Sequence, residues 1–253
     1  MAKVIALINQ KGGVGKTTST LNIGAGLSRL GYKVLLIDLD PQAHLTYSLG
    51  IQAHELKNTV DNLLKQQAAL EEVLIERPGL PGLSLIPSTL DLAGADIELS
   101  GIPGREYLLK EALVRIRGFD YVLIDCPPSL GLLTLNALVA AQEVYIPLQT
   151  EFLALRGLSK LLETVEVVKS RLNKDLEITG IIATRFDSRK ILNRDIVDKI
   201  KEYFGDKLFN TLIRENISLA EAPSYGQTIF EYKPDSYGAE DYLSLCEEII
   251  KRE

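Results

Sequence analysis

Short runs of β-branched and other apolar residues recur along this chain with helical stretches between them, and that alternation restricts the fold more than any other feature. Lys3 to Asn9, Lys33 to Asp38, Leu83 to Pro87, Tyr121 to Asp125, Glu143 to Leu148 and Ile178 to Ala183 read as strands. Strands this apolar are buried on both faces, the condition of a parallel sheet covered by helices on both sides. Between the last two, Leu158, Leu161, Leu162, Val165, Val168 and Leu172 fall on one helical face. Arg77-Pro78-Gly79-Leu80-Pro81-Gly82 is rich in proline and glycine but short enough to be a turn, and no linker or repeat interrupts the pattern. The expectation is one α/β domain over residues 1–253, with functional loops at the carboxyl ends of the strands.

The first strand runs into Lys11-Gly12-Gly13-Val14-Gly15-Lys16-Thr17-Thr18, followed by a helix expected from about Gly15 to Leu30 and stopped by Gly31. A tight turn whose N–H groups all point inward needs residues without a Cβ, which Gly12, Gly13 and Gly15 supply. The helix beginning there adds its positive end to the cradle. Lys16 can then reach the β- and γ-phosphates of a nucleotide, and the Thr17 hydroxyl can coordinate Mg²⁺. Strand, loop and helix in this order predict a P-loop protein that takes a nucleoside triphosphate with Mg²⁺. Gln10 stands where the pattern G-x-x-x-x-G-K-[ST] has glycine, and Lys11 adds a second cation to the loop. That lysine is either a solvated surface residue or a charge aimed at developing negative charge on a phosphate, and the loop alone leaves both open.

Asp38 and Asp40 close the second strand, and Asp125 closes the strand before Cys126-Pro127-Pro128. Carboxylates at that edge can hold a magnesium-bound water or position an attacking one. Asp40 before Pro41 also fits plain turn chemistry.

These residues carry a resemblance. The loop K-G-G-V-G-K-T-T resembles the deviant Walker A motif of the ParA/MinD family of ATPases. Leu36-Ile37-Asp38-Leu39-Asp40-Pro41-Gln42-Ala43, Ile124-Asp125-Cys126-Pro127-Pro128-Ser129-Leu130-Gly131 and Leu219-Ala220-Glu221-Ala222-Pro223-Ser224 resemble segments of its ParA branch, in order along the whole chain. The resemblance implies a slow, partner-stimulated ATPase that forms a sandwich homodimer on Mg-ATP, binds DNA without sequence preference and answers to a ParB-like activator. It implies that Lys11 reaches the phosphates held by the other subunit, that Asp40 serves hydrolysis, and that Asp38 and Asp125 belong to the magnesium shell with Thr17. Thr184, Ile213, Arg214 and Glu215 lie where relatives contact adenine. Arg189 matches a DNA-contacting arginine of the branch, with Lys190 and Arg194 beside it. Relatives often read V-R-L before the E-A-P-S segment. Here Ile217-Ser218-Leu219 lacks that basic residue, and Arg214 is the nearest substitute.

Composition sets limits on the alternatives. The formal net charge is −6, so DNA binding must come from a local patch. The best one spans Arg185 to Lys201, with six basic side chains against three aspartates. Taken by itself, such a stretch is equally a solvated helix face. Two cysteines, two histidines and no C-x-x-C pair argue against a zinc or iron–sulfur site within one chain, and so against a reductase of the same fold. Reduced cysteines and no signal peptide point to a cytoplasmic, nucleoid-associated protein. No segment approaches the roughly 20 apolar residues of a membrane span. The last stretch, Asp241 to Glu253, carries Asp241, Glu247 and Glu248 on its polar face, which an anionic membrane repels. It is expected to dock on the domain, against the alternative of a MinD-like membrane-lying helix. The other alternative is a nucleotide-gated scaffold that does not bind DNA. With the first strand starting at Lys3, no N-terminal DNA-binding extension is expected.

Overall fold

The computed structural model describes residues 2–151, 155 and 158–252. Its principal elements are β1 (Lys3–Leu7), α1 (Lys16–Arg29), β2 (Val34–Asp38), β3 (Ile75–Glu76), β4 (Leu83–Ile86), β5 (Tyr121–Asp125), α2 (Leu132–Ala140), β6 (Glu143–Gln149), α3 (Leu158–Arg171), β7 (Glu177–Thr184), α4 (Ile191–Phe204) and α5 (Tyr237–Lys251). The strands form one sheet in the order β3-β4-β2-β5-β1-β6-β7. Every pairing is parallel except that of β3 with β4.

Alternation along each strand divides the core into two layers. Val4, Ala6 and Ile8 of the first strand and its extension, with Val122 and Ile124 of β5, face the layer closed by α2, α3 and α4. Ile5, Leu7, Tyr121 and Leu123 face the opposite layer, closed by α1 and α5. Helix α1 lies close against its neighbours because it is glycine-rich where it touches them. A Cβ on Gly24 would stand 2.5 Å from Leu36 Cδ2, and one on Gly26 would stand 2.6 Å from Cys246 Sγ.

The chain leaves β1 towards β2 through α1 and leaves β5 towards β6 through α2, so the two crossovers diverge around the β1–β5 pair. In an open parallel sheet that divergence opens a crevice at the carboxyl edge. The loop after β1, the end of β2 and the end of β5 therefore meet at one place, and these are the three segments that carry the candidate residues.

The expected strands are all present, with ends shifted by a residue or two. Two elements carry no readable sequence signal. Strand β3 is only two residues long, and the expected turn at Arg77–Gly82 folds it back on β4 as a hairpin. Helix α2 is apolar on nearly all sides because Leu133, Ala137, Leu138 and Val139 are all buried, so it shows no period to distinguish it from a strand. Helix α5 docks as expected, with Tyr242, Leu245, Cys246 and Ile249 buried in the α1 layer. Among the described residues no helix is long and apolar enough to cross a membrane.

Candidate nucleotide site

The glycine loop adopts the turn its sequence calls for. Gly13 and Gly15 have φ of 72° and 93°, a left-handed region that costs a residue with a Cβ. A Cβ built on Gly12 or Gly13 would meet nothing within 4 Å, so both glycines border open space. Two side chains from the ends of β6 and β7 tether the loop: the Gln149 amide donates to Gly13 O at 2.6 Å and the Thr184 hydroxyl donates to Val14 O at 2.9 Å. The loop is thus held in place around open space, a cradle suited to phosphate.

Lys16 is 7% exposed and its Nζ lies 3.5 Å from Lys11 O. Burial lowers its pKa, while the charges of Asp125 and Asp40 pull the other way. Thr17 Oγ1 donates to Asp125 Oδ2 at 2.6 Å, and Thr20 Oγ1 approaches the other carboxylate oxygen at 3.4 Å. A hydroxyl and a carboxylate in contact below a phosphate cradle are a donor set suited to a hard divalent cation such as Mg²⁺. Asp38 sits opposite Asp125 on the adjacent strand but is committed within the chain. Its Oδ2 accepts from Thr46 N–H at 2.8 Å and Thr46 Oγ1 at 2.7 Å, and its Oδ1 accepts from Asp40 N–H at 3.2 Å. Asp40 is 8% exposed. Its Oδ1 accepts from Gln42 N–H at 2.9 Å, so it shapes the turn while also lining the cleft.

Two buried carboxylates on neighbouring strands penalise each other's ionisation. Burial pushes Asp38 up to about 7 from the ordinary 3.8, against the Thr46 hydrogen bonds. Burial, with the charge of Asp38 added, pushes Asp125 up to about 8. In the unfolded chain both ionise near 4, so unfolding releases protons and stability falls as pH climbs from about 4 to 8. The melting temperature of the nucleotide-free protein is expected to drop by at least about 4 °C between pH 5 and pH 8. Asp125→Asn, whose amide oxygen can still accept from Thr17 while its N–H group faces the Thr20 hydroxyl, should flatten that drop. A slope identical in the two proteins would remove Asp125 as its source.

The cleft above the loop has a volume of about 970 Å³ and brings together the loop residues Gly12 to Thr18, Asp40, Thr184, Ile213, Arg214 and Glu215. Asp38 and Asp125 lie behind it. Lys11 stands at the rim, where its Nζ donates to Gln149 Oε1 at 2.9 Å and pairs with Glu151 Oε2 at 3.1 Å. Sequence reasoning passed over Gln149, which holds both Gly13 and Lys11, and over Thr46, which anchors Asp38. Neither lies in a motif: the pairing of β6 beside β1 brings Gln149 to the loop, and the short helical turn His44–Ser48 brings Thr46 back onto Asp38.

The basic residues differ in how they are held. The Arg189 side chain is 88% exposed and forks onto Asp187. Lys190 pairs with Glu215 at 3.0 Å, and Arg194 is exposed. Arg214 does not fit its expected second role as a DNA contact replacing a base at Ser218. Its guanidinium is bound by Asp241 and Glu240, so it offers no free cation. Ser218 itself is buried.

A strand, a glycine cradle and a helix at the divergence point of a parallel sheet, with Lys16 and Thr17 facing carboxylates from the next strands, define a P-loop nucleotide-binding protein. Comparison with known proteins agrees and narrows this. A family model described as an AAA domain matches residues 2–178. The sporulation initiation inhibitor protein Soj of Bacillus subtilis is 47% identical over 250 residues, covering 98% of each chain. The chromosome-partitioning ATPase Soj of Treponema pallidum is 48% identical over 254 residues, covering 100% of this chain and 99% of its own. Among solved structures, cobyrinic acid a,c-diamide synthase from Mycobacterium smegmatis, with ADP and magnesium bound, superposes with a TM-score of 0.87 at 38% identity. That match covers 99% of this chain and 95% of the other. The chain belongs to the ParA/Soj family of chromosome-partitioning ATPases.

Proposed function

We propose that this protein is an ATP-driven partition switch. It binds Mg-ATP through the glycine loop, dimerises with each Lys11 completing the partner's site, binds duplex DNA without sequence preference, and lets go when a ParB-like activator stimulates hydrolysis. The observation that carries the nucleotide half is the contact of Thr17 with Asp125 beside buried Lys16 at the floor of a glycine cradle. Bound Mg²⁺ would be held by Thr17, with Asp125 and Asp38 behind it, and would offset phosphate charge. Lys16 binds and neutralises the phosphates. Thr184, Ile213, Arg214 and Glu215 form the base side of the cleft, and Asp40 orients water.

Lys11 is paired with Glu151 within its own chain. At about half exposure, that pair is weakly held, so the lysine can exchange it for a partner's phosphates. Segments after Asp40 and Asp125 touch the cleft through Gln42, His44 and Pro128, and a switch is driven by such contacts when they differ between ATP and ADP.

The DNA half rests on Arg189, Lys190 and Arg194 in the basic stretch around the start of α4. Arg189→Glu is expected to leave ATPase activity and ATP-dependent dimer mass unchanged while weakening duplex binding about tenfold or more at moderate salt, and to lower the salt slope by about one phosphate. Fluorescence anisotropy with random-sequence duplex measures this. Unchanged affinity would place the DNA surface elsewhere.

A further inference from the structure

The last helix was expected to present Asp241 to solvent. Instead Asp241 is 6% exposed and accepts from Arg214, a residue that lines the cleft. The reason lies in the segment 208–215, which runs parallel to β7 as an irregular continuation of the sheet. On its inward side Phe209 N–H donates to Ile181 O, Ile213 N–H to Ala183 O and Glu215 N–H to Phe186 O. The N–H groups of Asn210, Thr211 and Arg214 point away from the sheet, where a further strand would normally accept them. Helix α5 accepts them with carboxylates one heptad apart. Glu248 takes Asn210 N–H at 2.8 Å and Thr211 N–H at 2.9 Å, and Asp241 Oδ2 takes Arg214 N–H at 2.8 Å.

Asp241 also binds the side chain of the same residue, with Arg214 Nε at 2.9 Å from Oδ1 and 3.0 Å from Oδ2. Glu240 accepts from Arg214 Nη2 at 2.6 Å, and the guanidinium lies 4.2 Å over the Tyr237 ring. One turn of α5 therefore fixes Arg214 in backbone and side chain. The next residue, Tyr242, hydrogen-bonds Ser19 Oγ of α1 at 3.0 Å in full burial. Ser19 N–H in turn donates to Gly15 O in the phosphate loop. Consecutive residues of the C-terminal helix thus hold the two walls of the cleft, Asp241 the base wall and Tyr242 the phosphate wall.

From this geometry we propose that Asp241 is a positioning residue for nucleotide recognition, setting the Ile213–Glu215 wall against the base while leaving the phosphate cradle untouched. The inference rests on the cleft being the ATP site. It also gives α5 a task that excludes lifting away to lie on a membrane, because detaching the helix would unmake the base wall.

The test compares Mg-ATP with Mg-tripolyphosphate, which has the phosphates and lacks the base, as ligands for the full chain in calorimetric titrations. Asp241→Ala is expected to weaken ATP about tenfold and to leave tripolyphosphate within about twofold. Asp241→Asn retains an acceptor for Arg214 N–H and loses the charge, so a smaller loss of ATP affinity, about threefold, is expected. This milder variant carries the test should the alanine variant fail to fold. Equal losses for both ligands would mean that Asp241 merely supports the fold, and unchanged ATP affinity would mean that the wall does not need it. Either result overturns the inference. Parent protein that binds tripolyphosphate but shows no added affinity for ATP would also overturn it, and parent protein that binds neither ligand would instead overturn the nucleotide site itself.

Discussion

Replacing Lys16 with alanine is expected to weaken Mg-ATP binding at least about 100-fold, or about 3 kcal/mol. Two effects add. The phosphates lose the only cation buried at the loop floor among the described residues, where water is scarce and a charge-assisted contact counts for more than at a surface. The Asp40 side chain, which Lys16 faces beside Asp125, also loses its counter-charge and then repels an incoming triphosphate. The second effect separates this lysine from Lys11, which lies at the rim with Glu151. Titration with a fluorescent ATP analogue measures the loss. Affinity within a few-fold of the parent would contradict the role given to the loop.

Asp40→Ala is expected to lower ATP turnover about 100-fold or more while sparing nucleotide binding, since positioned acid–base and water-orienting groups contribute about 10²–10⁴ in rate. Its place supports this. Asp40 lines the cleft beside Lys16 without joining the Thr17–Asp125 contact, so its removal leaves the magnesium-facing pair intact. It also accepts the Gln42 N–H, and losing that turn contact costs about 1 kcal/mol of local order. Steady-state phosphate release separates the two consequences. Turnover within about twofold of the parent would make Asp40 a turn residue only.

Much of this site is written in consecutive residues. The glycine loop can be read because one short segment must supply the turn, the cradle, the cation and the hydroxyl together, and the six long strands because buried parallel strands are apolar without interruption. What could not be read depends on register or on partners distant in sequence. Strand β3 has two residues and pairs only because the 77–82 turn returns the chain. Helix α2 is buried all round, so nothing in its pattern marks a period. Gln149 becomes part of the loop only when β6 lies beside β1. Asp241 read as a surface charge because an acidic residue late in an amphipathic helix usually is one. It is buried because the irregular strand before it has N–H groups to satisfy, a demand visible only in three dimensions. Arg214 shows the same effect in reverse: a basic residue near a supposed DNA surface is paired with Glu240 and buried Asp241 of the last helix.

If ATP gates DNA binding, the Asp40→Ala protein should show it, because slow turnover keeps its ATP state populated. Co-sedimentation with random-sequence duplex DNA, in ATP, in ADP and without nucleotide, is the measurement. Binding in ATP alone, weakening steeply as salt rises, is the predicted result. Equal binding in all three conditions, or none in a protein that still dimerises with ATP, would contradict it.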